Sequence, residues 1–301
     1  MKRGLGNSPL SRSRNKIMLS MQATLKEIAE KNSLKLKEFK PLSGGDINTV
    51  YALYCQQGNF VIKLNNASRF PKMFETEAKG LQLLAASHTF KIPEVLAYGA
   101  TKGTSYILLE KIEKGVKTKH FWSIFAENLA KMHKITQKYF GLPYPNYIAS
   151  LPQPNSCEAT STDFYINQRL QPQFNLAAKN GFAFKDLDSF FNKVSELIPQ
   201  EAPSLIHGDL WNGNYLISAN GTPVLIDPTV SFAPREMDLA MMQLFGGFPQ
   251  EVFSVYNEVF PLEDSWKARI PLFQLYYLLV HLNIFGSGYL PQVQRILQAF
   301  S

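Results

Sequence analysis

The chain has 301 residues, 45% hydrophobic and 18% charged, a balance that suits globular packing in one domain or two. With only 2 Cys and 5 His, and no Cys-X-X-Cys spacing around Cys55 or Cys157, neither a disulfide framework nor a structural zinc site is expected. Both absences point to a reducing, cytoplasmic compartment. The net charge of +7 is concentrated at the start, where Lys2, Arg3, Arg12, Arg14 and Lys16 meet no acidic residue before position 20. The rest carries only about +2, which argues against a nucleic-acid footprint.

In chain order, residues 1–20 read as a disordered basic leader without the apolar core of a signal peptide. Residues 21–32 have helical spacing, with Leu25, Ile28 and Ala29 on one side. Segments 34–39, 49–55 and 59–64 are short and rich in β-branched and aromatic residues, as antiparallel strands are. A helix is expected over 72–87, and two more strands at Val95-Leu96 and 105–112. From Lys114-Gly115 the character changes to helices at 120–133, 163–179, 186–198, 235–245, 250–259, 266–285 and 290–300. Two short apolar strands interrupt them, within SLIHGD and TPVLIDP. The apolar stretch Ile270 to Phe285 contains Pro271, Gln274, His281 and Asn283, and falls short of the ~20 apolar residues a membrane span needs. The expected fold is α+β: a small antiparallel β lobe with one helix (21–112), and a larger, mainly α lobe (113–301).

The chemistry concentrates in His207-Gly208-Asp209-Leu210-Trp211-Asn212-Gly213-Asn214, followed by Ile226-Asp227-Pro228. Phosphoryl transfer requires a positioned hydroxyl and neutralised phosphate charge rather than covalent help from the protein. Asp209 can accept or orient the hydroxyl proton. Asn214 lies five positions later, the Asp-to-Asn spacing of kinase catalytic loops. Asp227 ends an apolar strand, where a carboxylate can hold the magnesium that bridges ATP phosphates. Each residue alone reads as an ordinary turn or cap; their joint spacing between two apolar strands favours the chemical reading. His207 is expected to be a scaffold residue rather than a base, and the other histidines packing or surface residues.

Upstream, Lys63 is a cation inside an apolar strand and is costly there unless it meets an anion. Glu77 in the next helix is the preferred partner, with Glu75 the local competitor; such a pair orients nucleotide phosphates in kinases. Gly44 and Gly45 link two strands and can bring backbone N–H groups close to phosphate. The sequence is not a P-loop. Glu110 and Ile112, where the β lobe ends, can offer backbone groups to adenine.

These residues resemble the fructosamine kinase (ketosamine-3-kinase) family, within the aminoglycoside phosphotransferase-like branch of the protein-kinase-like fold. The resemblance rests on LIHGDLWNGNYLIS…GTPVLIDPTVSFAPREMDLAMMQLFGGF (205–248), with GGDIN (44–48), MFETEAKGLQLL (73–84), and FGLPYPNYIASLPQPN (140–155) leading to FYINQRL. It implies ATP- and Mg2+-dependent phosphorylation of the O3 hydroxyl of a free or protein-bound ketoamine, promoting deglycation. It also implies Asp209 as base, Asn214 and Asp227 as metal ligands, and Lys63 with Glu77 as the nucleotide-orienting pair. Trp211 would contact substrate, with core packing as its alternative, and Asp238 would brace the catalytic loop. Cys157 and Ser161 stand where the family often has Trp, Asn146 where an acid is frequent, and Ala233-Pro234 where Gly and a polar residue are common. A monomer with neither nucleic-acid nor membrane partners is expected. The alternatives are a phosphotransferase for an aminoglycoside, choline or sugar, and a pseudokinase acting as a binding module.

Overall fold

The computed structural model describes residues 9–42 and 47–300, with side chains from Ser20 onward. The chain divides into two compact units. One comprises the residues through Phe74 together with Val95–Lys111; the other comprises Glu75–Glu94 and the chain from Ile112 onward.

The first unit is a helix, α1 (Pro9–Lys31), and a five-stranded antiparallel sheet. Its strands are β1 (Leu36–Pro41), β2 (Thr49–Cys55), β3 (Gly58–Asn66), β4 (Val95–Thr101) and β5 (Thr104–Glu110), in the order β1-β2-β3-β5-β4. Alternation explains the packing. Leu53, Ile62, Leu64, Tyr106 and Leu108 share one face and bury against Leu25 and Ile28 of α1. Each large apolar side chain so buried contributes about 1.5–3 kcal/mol relative to exposure. Lys63, paired in register with Val50 and Ile107, points to the opposite face. The helix expected over 21–32 begins at Pro9, so α1 runs through residues 9–20 of the segment read as a disordered leader. Residues 1–8 of that segment lie outside the described residues. The last strand stops at Glu110, so Ile112 lies beyond it.

The second unit starts with most of α2 (Met73–Ala86) and continues with α3 (Phe121–His133). Phe121, Phe125, Leu129 and Met132 form the buried side of α3, at the spacing that defined the helix in sequence. A hairpin of β6 (Asn146–Ile148) and β7 (Leu151–Gln153) follows. The segment 161–179 is one helical run, α4 (Ser161–Tyr165) and α5 (Gln171–Lys179), joined by a wider π turn at Ile166–Leu170. Next come α6 (Leu187–Leu197), β8 (Ser204–Ile206), β9 (Tyr215–Ile217), β10 (Pro223–Leu225) and β11 (Ser231–Ala233). The chain closes with α7 (Glu236–Leu244), α8 (Gln250–Val259), α9 (Trp266–Phe285) and α10 (Leu290–Ala299). The apolar character of α9 reflects burial: Leu272, Phe273, Leu275, Tyr276, Leu279 and Leu282 point in several directions and are all enclosed. No helix among the described residues is long and apolar enough to cross a membrane.

Candidate active site

Two short antiparallel pairs bring the chemical residues together. β8 pairs with β11, and β9 with β10, so the loop before Asp209 and the segment after Asp227 run side by side. Ile226 N–H donates to the Asn214 carbonyl at 3.0 Å, and Thr229 N–H donates to the His207 carbonyl at 2.9 Å. These cross-bonds close the distance between parts of the motif that are well separated in sequence.

Within the loop, the Asn214 amide donates to the Asp209 backbone carbonyl at 2.7 Å and to its carboxylate at 3.1 Å. Asp209 is half-buried, and loss of water pushes its pKa up to about 7; the Asn214 bond opposes this, while the charges of Asp227 and Asp238 add to it. A carboxylate with this affinity for a proton can serve as a general base near neutral pH. Asp227 has φ 55, an uncommon conformation for a non-glycine residue. The oxygen-donor set of Asp227 and Asn214 suits magnesium, which favours hard oxygens. Among the described residues no group of three His, Cys, Asp or Glu side chains converges in the manner of a zinc site.

The loop is braced from beneath. Asp238 of α7 is fully buried and accepts the backbone N–H groups of His207 at 2.7 Å and Gly208 at 2.8 Å. His133, at the end of α3, faces the same carboxylate through Nε2 at 3.2 Å and the Tyr256 hydroxyl through Nδ1 at 2.8 Å. An ionised carboxylate only accepts, so Nε2 carries the proton. His207 Nε2 donates to the Ile226 carbonyl at 2.9 Å, and its Nδ1 accepts from Asp209 N–H at 3.3 Å. Both ring nitrogens are therefore occupied, and burial pushes the His207 pKa down. Gly208 has φ +85, and a Cβ there would lie 2.2 Å from the Thr229 carbonyl oxygen, so this turn requires glycine. The Tyr277 hydroxyl donates to the Gly208 carbonyl at 3.0 Å.

The brace is itself pinned. Arg235 bonds Glu201 and the Phe260 and Pro261 carbonyls, and Glu236 pairs with Arg269 at 2.6 Å. A second polar network supports the segment after Asp227. Gln153 donates to Thr229 Oγ1 at 2.7 Å and to Asn146 Oδ1 at 2.8 Å, and accepts from the Tyr276 hydroxyl at 2.5 Å. Asn146 donates to the Val230 carbonyl at 2.9 Å and also accepts from Asn155, whose own Oδ1 accepts from buried Arg169. Asn146, a departure from the family pattern, thus uses both ends of its amide. Sequence reasoning left His133 as a packing or surface residue and did not single out Gln153, Thr229, Tyr256 or Tyr277. The PQPN stretch was the only signal pointing to any of them.

The remaining predicted residues divide between the two units. Lys63 in the first unit is 6% exposed, unusually low for lysine. Glu77 belongs to the second, on α2, where Gly80 one turn later packs against Val230 and Pro228. Glu75, the competitor, is engaged with Lys79 at 2.7 Å. Glu110 ends β5 in the first unit and Ile112 begins the next stretch of the second. Gly44 and Gly45 lie outside the described residues. Trp211 is 38% exposed, so its alternative reading as a core residue does not describe it. Cys157 is exposed, and Ser161 is buried with its hydroxyl on the Pro199 carbonyl.

The chain is similar to known proteins along most of its length. The fructosamine kinase family profile matches residues 18–300. A protein of Synechocystis sp. named for ketoamine kinase is 37% identical over 267 residues, covering 88% of this chain and 90% of its own. A crystal structure from Haemophilus somnus 129PT, named for fructosamine-3-kinase, superposes with a TM-score of 0.82 at 28% identity, covering 90% of this chain and 94% of that one. An aminoglycoside phosphotransferase shares the fold, with a TM-score of 0.61 at 17% identity over 93% of this chain and 99% of its own. The mixed α+β architecture is kinase-like, and the chain belongs to the fructosamine kinase family.

Proposed function

We propose that this protein is an ATP- and magnesium-dependent kinase that phosphorylates the O3 hydroxyl of ketoamines, so that the adduct breaks down and the amine is recovered. The observation that carries the reading is Asp209. It is a carboxylate whose pKa is raised to about 7, held on a loop whose two preceding residues, His207 and Gly208, have their N–H groups anchored on Asp238, and with Asn214 bonded to it. In this reading Asp209 receives the proton of the attacking hydroxyl, and the Asp238 brace keeps the base from moving as charge develops. Asn214 and Asp227 would hold magnesium, which when bound neutralises phosphate charge and orients the transferred group. Lys63 and Glu77 would orient the nucleotide, with backbone groups around Gly44, Gly45, Glu110 and Ile112 contacting phosphate and adenine. Trp211, exposed beside the base, would stack on the acceptor.

Family membership supports the ketoamine as acceptor. The test is steady-state turnover with Mg·ATP on a fructosyl-amine against an aminoglycoside, choline and free sugars, with the phosphorylated position mapped by NMR. Phosphorylation at O3 of the ketoamine is expected. Turnover of one of the other acceptors but no ketoamine would replace the substrate assignment. Nucleotide binding without turnover of any acceptor, unchanged by Asp209→Ala, would replace the enzyme reading with that of a binding module. Asp227→Ala should weaken Mg·ATP binding as well as turnover.

A further inference from the structure

Beneath the loop that carries Asp209, four polar side chains meet in one buried chain: Arg235, Tyr256, His133 and Asp238, none more than 2% exposed. They come from α3, α8 and the start of α7. Donor and acceptor inventories fix the direction of every bond. Asp238 accepts Gly208 N–H on Oδ1 and His207 N–H on Oδ2, and His133 Nε2 lies 3.2 Å from that same Oδ2. Nε2 therefore donates, which leaves Nδ1 with a lone pair. The Tyr256 hydroxyl, 2.8 Å from Nδ1, donates into it. The Arg235 guanidinium has donors only, and its Nη1 reaches the Tyr256 oxygen at 3.5 Å. All three bonds run one way, from Arg235 to Tyr256 to His133 to Asp238.

The direction matters because a neutral imidazole has two tautomers, and the partner of one nitrogen decides what the other presents. Burial pushes the His133 pKa down, so the ring is neutral. With its proton on Nδ1, the ring would turn a lone pair toward the carboxylate oxygen that anchors His207, two residues before Asp209. A buried carboxylate that loses one of three donors and gains a facing lone pair shifts to relieve the repulsion. The peptides it holds shift with it. Tyr256 excludes that tautomer, and its own hydroxyl is kept from turning round. Arg235 already donates to the Tyr256 oxygen, and is itself tied to Glu201 and to the Phe260 and Pro261 carbonyls. The Tyr256 ring stands edge-on to the imidazole, with centroids 5.5 Å apart and planes at 71°, which fixes where the oxygen lies.

Building on the reading in which Asp209 is the base of a ketoamine kinase, we propose that Tyr256 is a positioning residue for phosphoryl transfer. It acts at a distance, by fixing the His133 tautomer that holds Asp238 and, through it, the peptides of His207 and Gly208. Among the described residues its hydroxyl bonds only His133 and Arg235, so its influence on the loop passes through the imidazole. A residue that sets the base without touching either substrate changes kcat and leaves KM alone.

The test uses the full chain, with its histidines labelled with 15N for NMR and with Mg·ATP and a fructosyl-amine for kinetics. The wild-type His133 signal, assigned by its loss in His133→Gln, should be that of a neutral ring protonated on Nε2. Tyr256→Phe removes one oxygen; it should move that proton wholly or partly to Nδ1 and lower kcat about tenfold, with both KM values within about twofold. His133→Gln places an amide N–H near the Nε2 position and has no tautomer to choose, so it should keep kcat within about threefold of the wild type. Adding Tyr256→Phe to His133→Gln should then cost nothing further. His133→Asn, too short to reach Asp238 in this way, should lose as much as Tyr256→Phe alone. A wild-type ring protonated on Nδ1, an unchanged kcat in Tyr256→Phe, or an equal loss from Tyr256→Phe in the His133→Gln background would overturn the proposal and leave the kinase reading intact. No wild-type turnover of the ketoamine would instead overturn the reading on which it rests.

Discussion

Two carboxylates a short distance apart are treated in opposite ways by this fold. Asp238 has lost all contact with water, yet two backbone N–H groups and the His133 ring satisfy it, and its helix starts with two further matched charges, Arg235 and Glu236. Asp209 retains some exposure but, among the described residues, has only the Asn214 amide to stabilise its charge, against the fields of Asp227 and Asp238. A satisfied buried charge rigidifies its surroundings. An under-compensated one holds on to a proton and has reactivity in reserve. The difference separates a charge that the fold compensates from one that it leaves under-compensated.

The comparison can be broken first at Asp209. Asp209→Asn should lower turnover about 10²- to 10⁴-fold, the range of a lost general base, while ATP binding persists. In the metal-free protein the same change should raise the melting temperature by about 3–6 °C, because it removes a charge that the fold does not compensate. Near-native turnover, or a lower melting temperature, would mean that Asp209 is not the exposed counterpart of Asp238.

Asp238→Ala should do the reverse. It leaves two N–H groups and an imidazole without their acceptor and should cost about 3 kcal/mol of stability, read as a lower midpoint in urea unfolding. Turnover should fall with it as the loop loses its anchor. Gly208→Ala should cost less, about 1–3 kcal/mol, since a Cβ must displace the Thr229 carbonyl and occupy a positive φ. Its melting curve should therefore lie between those of the wild type and Asp238→Ala.

The smallest effect is the pH dependence. The Asp209 carboxyl has an ordinary value of 3.8 and a value of about 7 in the fold. Between these values the folded protein keeps a proton that the unfolded chain has released, so this contribution to stability falls as pH rises through the window. The melting-temperature gain of Asp209→Asn without metal should be near zero at pH 4 and grow towards pH 7.5. His207 has the opposite sign: burial lowers its pKa, so its share of stability is lost as pH falls below its usual 6.5. A gain for Asp209→Asn that stays constant across pH would show that charge is not what separates the two carboxylates.

Much of the fold was legible because it is locally periodic. β2 lies where the β-branched and aromatic content of residues 49–55 put it, and α3 and α9 match their helical spans to within a residue. Strands β6, β7, β9 and β11 were not foreseen: at three residues none shows a period, whereas β8 and β10, equally short, were legible as apolar runs beside the motif. The start of α1 was missed because Gly, Pro and clustered basic residues argue against order by composition, while the helix continues back to Pro9.

The sequence by itself determined the chemical inventory: Asp209, Asn214 and Asp227 at kinase spacing, an apolar strand around Lys63, and a tryptophan within the loop. Tertiary structure alone decided what those residues experience. His133, Gln153, Thr229, Asp238, Tyr256 and Tyr277 come from separate elements and converge on one loop. No local window contains that convergence, because burial and hydrogen-bond partners depend on which distant segments pack together. The same applies to the rings of Trp211, Phe245 and Phe285, which packing leaves exposed. Only packing shows which rings the core encloses and which it leaves facing water.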